Sequence, residues 1–185
     1  AAAPTIDWQT LILLGYFVGA RLSDCVQMKR ENIRPEDGLI VYHQQKTGKK
    51  VTVPMHYHVI EHLNYLSTFG TDGFLCPKLA GKGSGGKHGL SEGFKRVILK
   101  AGIDPKTARG KGTRNFSKRT FHSLRHGFSS ALANAGVSEE IRMKLTGHSS
   151  KAIHSQYTHL EVQTLKTAMT TLPLFGPKSG PSDVG

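Results

Sequence analysis

The stretch "FHSLRHGFSSALANAGVSEEIRMKLTGHSS", residues 121–150, decides how the chain is read. Leu124, Phe128 and Leu132 recur at helical spacing along one face, and Gly136 and Gly147 stand where helices stop. The spacing predicts a helix over about 118–135 and a second from Ser138 to Thr146, capped by Ser138. His122 and Arg125 are three residues apart on the first helix, so their side chains leave a common face and can clamp one phosphate together. His148 opens the segment after Gly147, and Tyr157 follows nine residues later.

Working outward, the N-terminal part supplies the remaining pieces. Asp7 is a suitable N-cap for a helix through "WQTLILLGYFVG", which Gly19 ends. Arg21 follows at that helix end, with Asp24 three residues later; Ser23 is the expected cap of a second helix, "DCVQMKREN". Two β runs, "LIVYH" and "KVTVP", are bridged by "QQKTGK", a hairpin with Gly48 in its turn and Lys46 near its tip. Residues 55–68 have helical apolar spacing, and "GFLCP" is expected to return as a third strand. Six of the 13 residues from Gly81 to Gly93 are glycine, which postpones the next packed element to the helix "LSEGFKRVILKAG", stopped by Gly102. A basic loop to Asn115, a short helix after Ser149 and a final helix near 161–170 complete the pass. The expected class is mainly α with a small three-stranded antiparallel β-sheet: one domain over 1–175, then a Gly/Pro/Ser-rich flexible tail over 176–185.

Charge restricts the partner. The formal net charge is +12, and from Lys78 to Arg125 there are 13 basic and two acidic residues, so one quarter of the chain holds nearly all the excess. Such a concentration is the electrostatic footprint of a phosphate-backbone binder, although a solvated basic loop would look the same. Lys87, Lys95, Arg96, Lys111, Arg114, Lys118 and Arg119 are the candidate DNA contacts. Cys25 and Cys76, the only cysteines, are too few for a disulfide scaffold and too far apart for a C-x-x-C metal site, which favours a reducing cytosol. The apolar run from Leu11 to Ala20 is too short to span a bilayer, so no membrane partner is expected.

A phosphoryl-transfer site working without metal needs cations on the non-bridging oxygens, a nucleophile and an acid for the leaving oxygen. Arg21, Arg125, Tyr157 and Lys46 supply that set. Taken singly, each also fits a bland role: surface arginine, capping histidine, packing tyrosine, exposed turn lysine. A zinc-hydrolase reading of His122 and His126, four apart as in H-E-x-x-H, lacks its general base because position 123 is Ser.

The motifs "GARLSD" (19–24), "KTGKKVTVP" (46–54), "HSLRHGFSS" (122–130), "LTGHSS" (145–150) and "YTHL" (157–160) together resemble the catalytic domain of tyrosine recombinases, the phage-integrase family, over about residues 8–170. The resemblance implies that Arg21 and Arg125 hold the scissile phosphate and that Lys46 protonates the 5′-oxygen. It implies that His122 and His148 hydrogen-bond the phosphate and assist proton transfer, that Tyr157 attacks to give a 3′-phosphotyrosine, and that Asp24 supports Arg21. It further implies double-stranded DNA as partner, a tetramer on paired sites, no cofactor, a cytoplasmic nucleoid-associated location, and an N-terminal DNA-clasping domain that this chain is expected to lack. Ala20 and Thr146 depart from the usual pattern without touching the proposed chemistry, and the insert over 78–119 is longer than in compact members. Type IB topoisomerases share the chemistry, and a non-catalytic DNA-binding module of the same fold is the reading from another class.

Overall fold

The computed structural model describes residues 3–67, 73–86, 88–109, 115–147 and 159–174. Helix α1, Ile6–Leu13, begins at Thr5, whose hydroxyl accepts the Trp8 N–H at 3.4 Å. Asp7, the expected cap, sits instead in the first turn, because its carboxylate is taken up by the backbone N–H of Lys78 at 2.8 Å. The helix widens into a π-helical stretch, Leu14–Val18, and stops at Gly19 in the left-handed conformation. Helix α2, Leu22–Gln27, starts from Arg21 with no side-chain cap, so Ser23 lies inside it rather than before it. It is also shorter than its sequence suggests: the Met28 carbonyl accepts the Leu75 N–H and Arg30 donates to the Gly73 carbonyl, which draws the chain out of the helix.

The antiparallel sheet has the order β1 (Ile33–Arg34), β2 (Leu39–His43), β3 (Lys50–Pro54). Strands β2 and β3 are the expected hairpin, with Tyr42 opposite Val51 and His43 opposite Lys50. The third strand is β1 and not "GFLCP". Phe74 forms a single bridge with Lys29, while Leu75 and Cys76 are apolar because their side chains are buried, not because a ladder continues through them. A second antiparallel pair, β4 (Thr107–Arg109) with β5 (Asn115–Ser117), stands where a loop was expected. Lys118 and Arg119 prolong it by donating to the Lys106 and Pro105 carbonyls, so the following helix starts at 122 rather than 118.

Five more helices complete the description: α3 (Tyr57–Ser67), α4 (Leu90–Lys100), α5 (His122–Asn134), α6 (Glu139–Thr146) and α7 (His159–Thr170). The expected short helix after Ser149 and the tail over 176–185 lie outside the described residues. One apolar cluster joins Leu11, Leu14, Phe17 and Val18 to Phe128 and Leu132 of α5, Val51 and Val53 of β3, and Leu165 and Met169 of α7. Helix α5 packs along the π-helical stretch, and α6 and α7 pack on β3. This brings the N-terminal helix end, the hairpin and the α6 terminus to one place.

Candidate active site

Arg125 is the hub. Its side chain is buried, with Nη1 donating to the Gly19 carbonyl and Nη2 to the Thr146 carbonyl, both at 2.6 Å. Each acceptor belongs to a helix C-terminus, where the last carbonyls lack intrahelical partners and the helix dipole is negative. Two helix ends thus converge on one guanidinium and offset much of the cost of burying it. Both ends require glycine. Gly19 and Gly147 have φ 66, and a Cβ at Gly19 would lie 2.5 Å from the Phe128 ring. At Gly147 it would lie 2.5 Å from Gln44 Nε2 and from Val51 Cγ2.

Arg21, two residues past Gly19, faces Asp24 at 3.9 Å, and its side chain retains 24% of its exposure while that of Asp24 has none. At that separation neither Arg21 Nη1 nor Asp24 Oδ2 has a hydrogen-bond partner among the described residues. The other oxygen of Asp24, Oδ1, accepts the Gln45 N–H at 2.8 Å. Asp24 therefore links Arg21 to the hairpin turn, a wider part than support of Arg21 alone. Within the turn, Gln44 accepts from the Thr47 and Gly48 N–H groups and donates to the Lys49 carbonyl, so the backbone around Lys46 is closed on itself. The Lys46 side chain is exposed.

His122 opens α5 in an exposed position beside this cluster, its ring edge-on to His126 at 4.6 Å. Partial burial, then the charges of His126, Arg125 and Arg21, hold its pKa below the ordinary imidazole value. A neutral His122 can both accept and donate. Burial, followed by the charge of Arg21, also disfavours protonation of Arg125, against smaller opposing contributions from Tyr42 and Asp24. Tyr42 is buried under the same cluster with its hydroxyl unpartnered among the described residues, and burial first, then Cys25 and Asp24, push its pKa well up. A buried phenol held neutral in this way is poorly placed to act as a nucleophile.

Of the six candidate catalytic residues, Arg21, His122 and Arg125 come together around the two helix ends, and Lys46 stands exposed on the turn that Gln45 ties to Asp24; His148 and Tyr157 lie outside the described residues, as do Lys87, Lys111 and Arg114. Lys95 is half-buried and Arg96 exposed on α4, where Arg96 and Lys100 edge a shallow cavity of about 220 Å³ over Trp8. Lys118 and Arg119 are exposed, and Arg119 Nη1 is tied to the Asp104 carbonyl at 2.7 Å. Sequence reasoning missed Gln44, which is buried with Nε2 donating to the Thr146 carbonyl at 3.0 Å. A signal existed: alternation through Ile40 and Tyr42 puts Gln44 on the inward phase. Thr146 contributes its carbonyl, while its hydroxyl turns back to the Arg142 carbonyl at 2.8 Å. Among the described residues no group of three His, Cys, Asp or Glu side chains could hold a metal ion, and no helix is long and apolar enough to cross a membrane.

This architecture is that of solved tyrosine-recombinase catalytic domains. The chain superimposes on an integrase from mycobacterium phage Brujita with a TM-score of 0.61 at 21% identity, covering 91% of this chain and 52% of that one. On a lambda integrase tetramer bound to a Holliday junction the TM-score is 0.54 at 23% identity, over 85% of this chain and 45% of that one. Residues 2–164 match the model of the phage integrase family, and the chain belongs to that family. The tyrosine recombinase XerA of Pyrococcus furiosus is 28% identical over 163 residues, covering 86% of this chain and 52% of the relative. For XerD of Vibrio cholerae the figures are 27% over 165 residues, 85% and 51%. The chain spans about half the length of the curated relatives it matches.

Proposed function

We propose that residues 1–175 are the catalytic domain of a site-specific DNA recombinase that cuts and rejoins strands through a 3′-phosphotyrosine. The observation that carries this reading is the convergence of Arg21 and Arg125 with the turn bearing Lys46, beside the glycine that leads into His148. In the proposed reaction the Tyr157 hydroxyl oxygen bonds to the scissile phosphorus and passes its proton to an imidazole of the pair His122 and His148, while the bond from phosphorus to the 5′-oxygen breaks. Lys46 gives that oxygen its proton. Arg21 and Arg125 neutralise charge on the non-bridging oxygens as the phosphorane forms, and His122 and His148 hydrogen-bond the same oxygens. The phosphotyrosine keeps the energy of the broken linkage, so a different 5′-hydroxyl can reverse the step without ATP, and the scheme calls on no cofactor.

The partner in this reading is double-stranded DNA in the cytoplasm, held within the nucleoid, with a tetramer assembling on paired sites as the Holliday-junction complex of lambda integrase suggests. Lys87, Lys95, Arg96, Lys111, Arg114, Lys118 and Arg119 contribute phosphate contacts. Duplex affinity should then fall roughly tenfold or more between about 50 and 200 mM salt if about three phosphates are neutralised. The deciding experiment incubates the full-length protein with fragmented genomic DNA and sequences whatever stays attached after denaturation. A covalent adduct that disappears in Tyr157→Phe, with duplex binding retained, supports the assignment. An adduct that persists moves the nucleophile to another tyrosine; Tyr65, exposed on α3, is a better second candidate than buried Tyr42.

A further inference from the structure

We propose that Gln44 is a positioning residue for Lys46, holding the hairpin turn in register with Arg125 through the shared Thr146 carbonyl. The inference rests on the recombinase reading above. Gln44 is 1% exposed, and a buried primary amide is costly unless its donor and acceptor are both used. Here both are. Nε2 donates to the Thr146 carbonyl at 3.0 Å, and Oε1 accepts the hydroxyl of Thr47, the residue after Lys46, at 2.8 Å. The main chain of Gln44 closes the rest of the turn, accepting from Gly48 N–H at 2.8 Å and donating to the Lys49 carbonyl at 2.9 Å. One residue thus grips the turn on both sides of Lys46 and fastens it to α6.

The fastening point gives the grip its meaning. The Thr146 carbonyl also receives Arg125 Nη2 at 2.6 Å, and the next residue is Gly147, whose hydrogen faces Gln44 Nε2 because nothing larger fits. The turn, the buried arginine and the segment leading to His148 therefore share one oxygen as a common reference point. For stability alone an apolar side chain of similar length would leave little unpaired, since the Thr146 carbonyl keeps Arg125 Nη2 and the exposed Thr47 hydroxyl can turn to water. What an apolar residue cannot do is fix the direction in which the turn leaves the sheet. A misplacement of about 1 Å at a reacting group costs as much as ~10²-fold in rate.

The test uses Gln44→Met, which keeps the length and removes both bonds, and Gln44→Glu, which keeps the acceptor for Thr47 and loses the donor to Thr146. Amide hydrogen exchange on the 185-residue chain requires no DNA. The Thr47 and Gly48 amides should exchange about fivefold or more faster in Gln44→Met, with those of α1 and α5 unchanged. Unchanged exchange in the turn would overturn the proposal. On oligonucleotides carrying a site recovered by covalent capture, Gln44→Met should cleave about 10–10²-fold more slowly at unaltered affinity. Gln44→Glu should be slowed in the same direction and guards against a folding defect in the Met variant. Replacing the 5′-bridging oxygen by sulfur, which leaves without a proton, should restore both variants. Slowing that sulfur does not relieve would mean that Gln44 acts on Arg125 or the fold instead, and the proposal would be wrong. If the unsubstituted chain gives no adduct with any DNA, the recombinase reading fails on its own, and hydrogen exchange still decides whether Gln44 holds the turn.

Discussion

Arg125 and Lys46 carry the same charge and sit at opposite extremes of confinement. Arg125 is 3% exposed and fixed by two 2.6 Å hydrogen bonds to helix ends, whereas Lys46 is exposed on a turn whose backbone is pinned at Gln44 and Gln45. The difference follows from what each is asked to do in the proposed reaction. A group that stabilises charge on a phosphorane acts best when it is already in place, because no reorganisation is then spent during the reaction. A proton donor must meet a leaving oxygen that arrives only with the DNA, so a fixed base and a free amine suit it better. The backbone under Lys46 is not a loose hairpin: it is anchored, and the freedom lies in the side chain.

The largest effect expected from breaking this contrast is at Lys46. Lys46→Ala should slow strand cleavage by ~10²–10⁴-fold, and sulfur at the 5′-bridging position should return most of the rate. Arg125→Ala should come next, at roughly 10²–10³-fold or about 3 kcal/mol, with no recovery on sulfur, because the loss is in phosphorane stabilisation and not in proton delivery. Single-turnover cleavage with both substrates measures the two together. Equal rescue of both variants would erase the distinction and send the acid role to Lys49, Lys50 or a histidine.

A third experiment compares the glycines beside the two cations. Gly147 and Gly48 both have φ 66, yet a Cβ at Gly147 meets Gln44 and Val51 at 2.5 Å while one at Gly48 meets nothing within 4 Å. Gly48→Ala should therefore cost only the left-handed strain of about 1–2 kcal/mol. Gly147→Ala should add overpacking of about 1–3 kcal/mol. Urea unfolding of the two variants reads the difference. Equal destabilisation would mean that the α6 terminus yields as readily as the hairpin tip.

Which of these features the sequence discloses depends on the range of the interaction that sets them. Helix stops at Gly19 and Gly147 and the β2–β3 hairpin rest on local chemistry, so they are legible, as is the helical spacing that sets His122 and Arg125 together on α5. The exceptions each answer to a distant partner. Asp7 looks like a cap until Lys78 claims its carboxylate, and "GFLCP" looks like a strand because Leu75 and Cys76 are buried against the core, with no more than the single bridge at Phe74. Strand β1 is two residues long and has no room to show alternation. Alternation through Ile40 and Tyr42 places Gln44 on the inward phase, but its partner Thr146 lies 102 residues away, so the sequence discloses its burial and not its bond.

The smallest effect is the most direct probe of electrostatic reach. The pKa of His122 is held down by partial burial first, then by His126, Arg125 and Arg21. Arg125→Gln removes one of those charges, so the His122 midpoint should rise; Lys46→Ala removes a solvent-screened charge and should leave it where it is. The ring-proton NMR titration of His122 gives both answers without any DNA, and Arg21→Gln offers the same upward shift if Arg125→Gln folds poorly. The sign has a consequence for stability. With the folded pKa below the unfolded value near 6.5, the unfolded chain binds more protons as the pH drops past that value, so His122 costs stability progressively in acid until the folded pKa is passed. Arg125→Gln should weaken that acid sensitivity by the part belonging to His122, and Lys46→Ala should not. A His122 midpoint that moves equally in both variants would mean that the exposed lysine acts on the cluster as strongly as the buried arginine, and the contrast between a fixed charge and a mobile acid would fail.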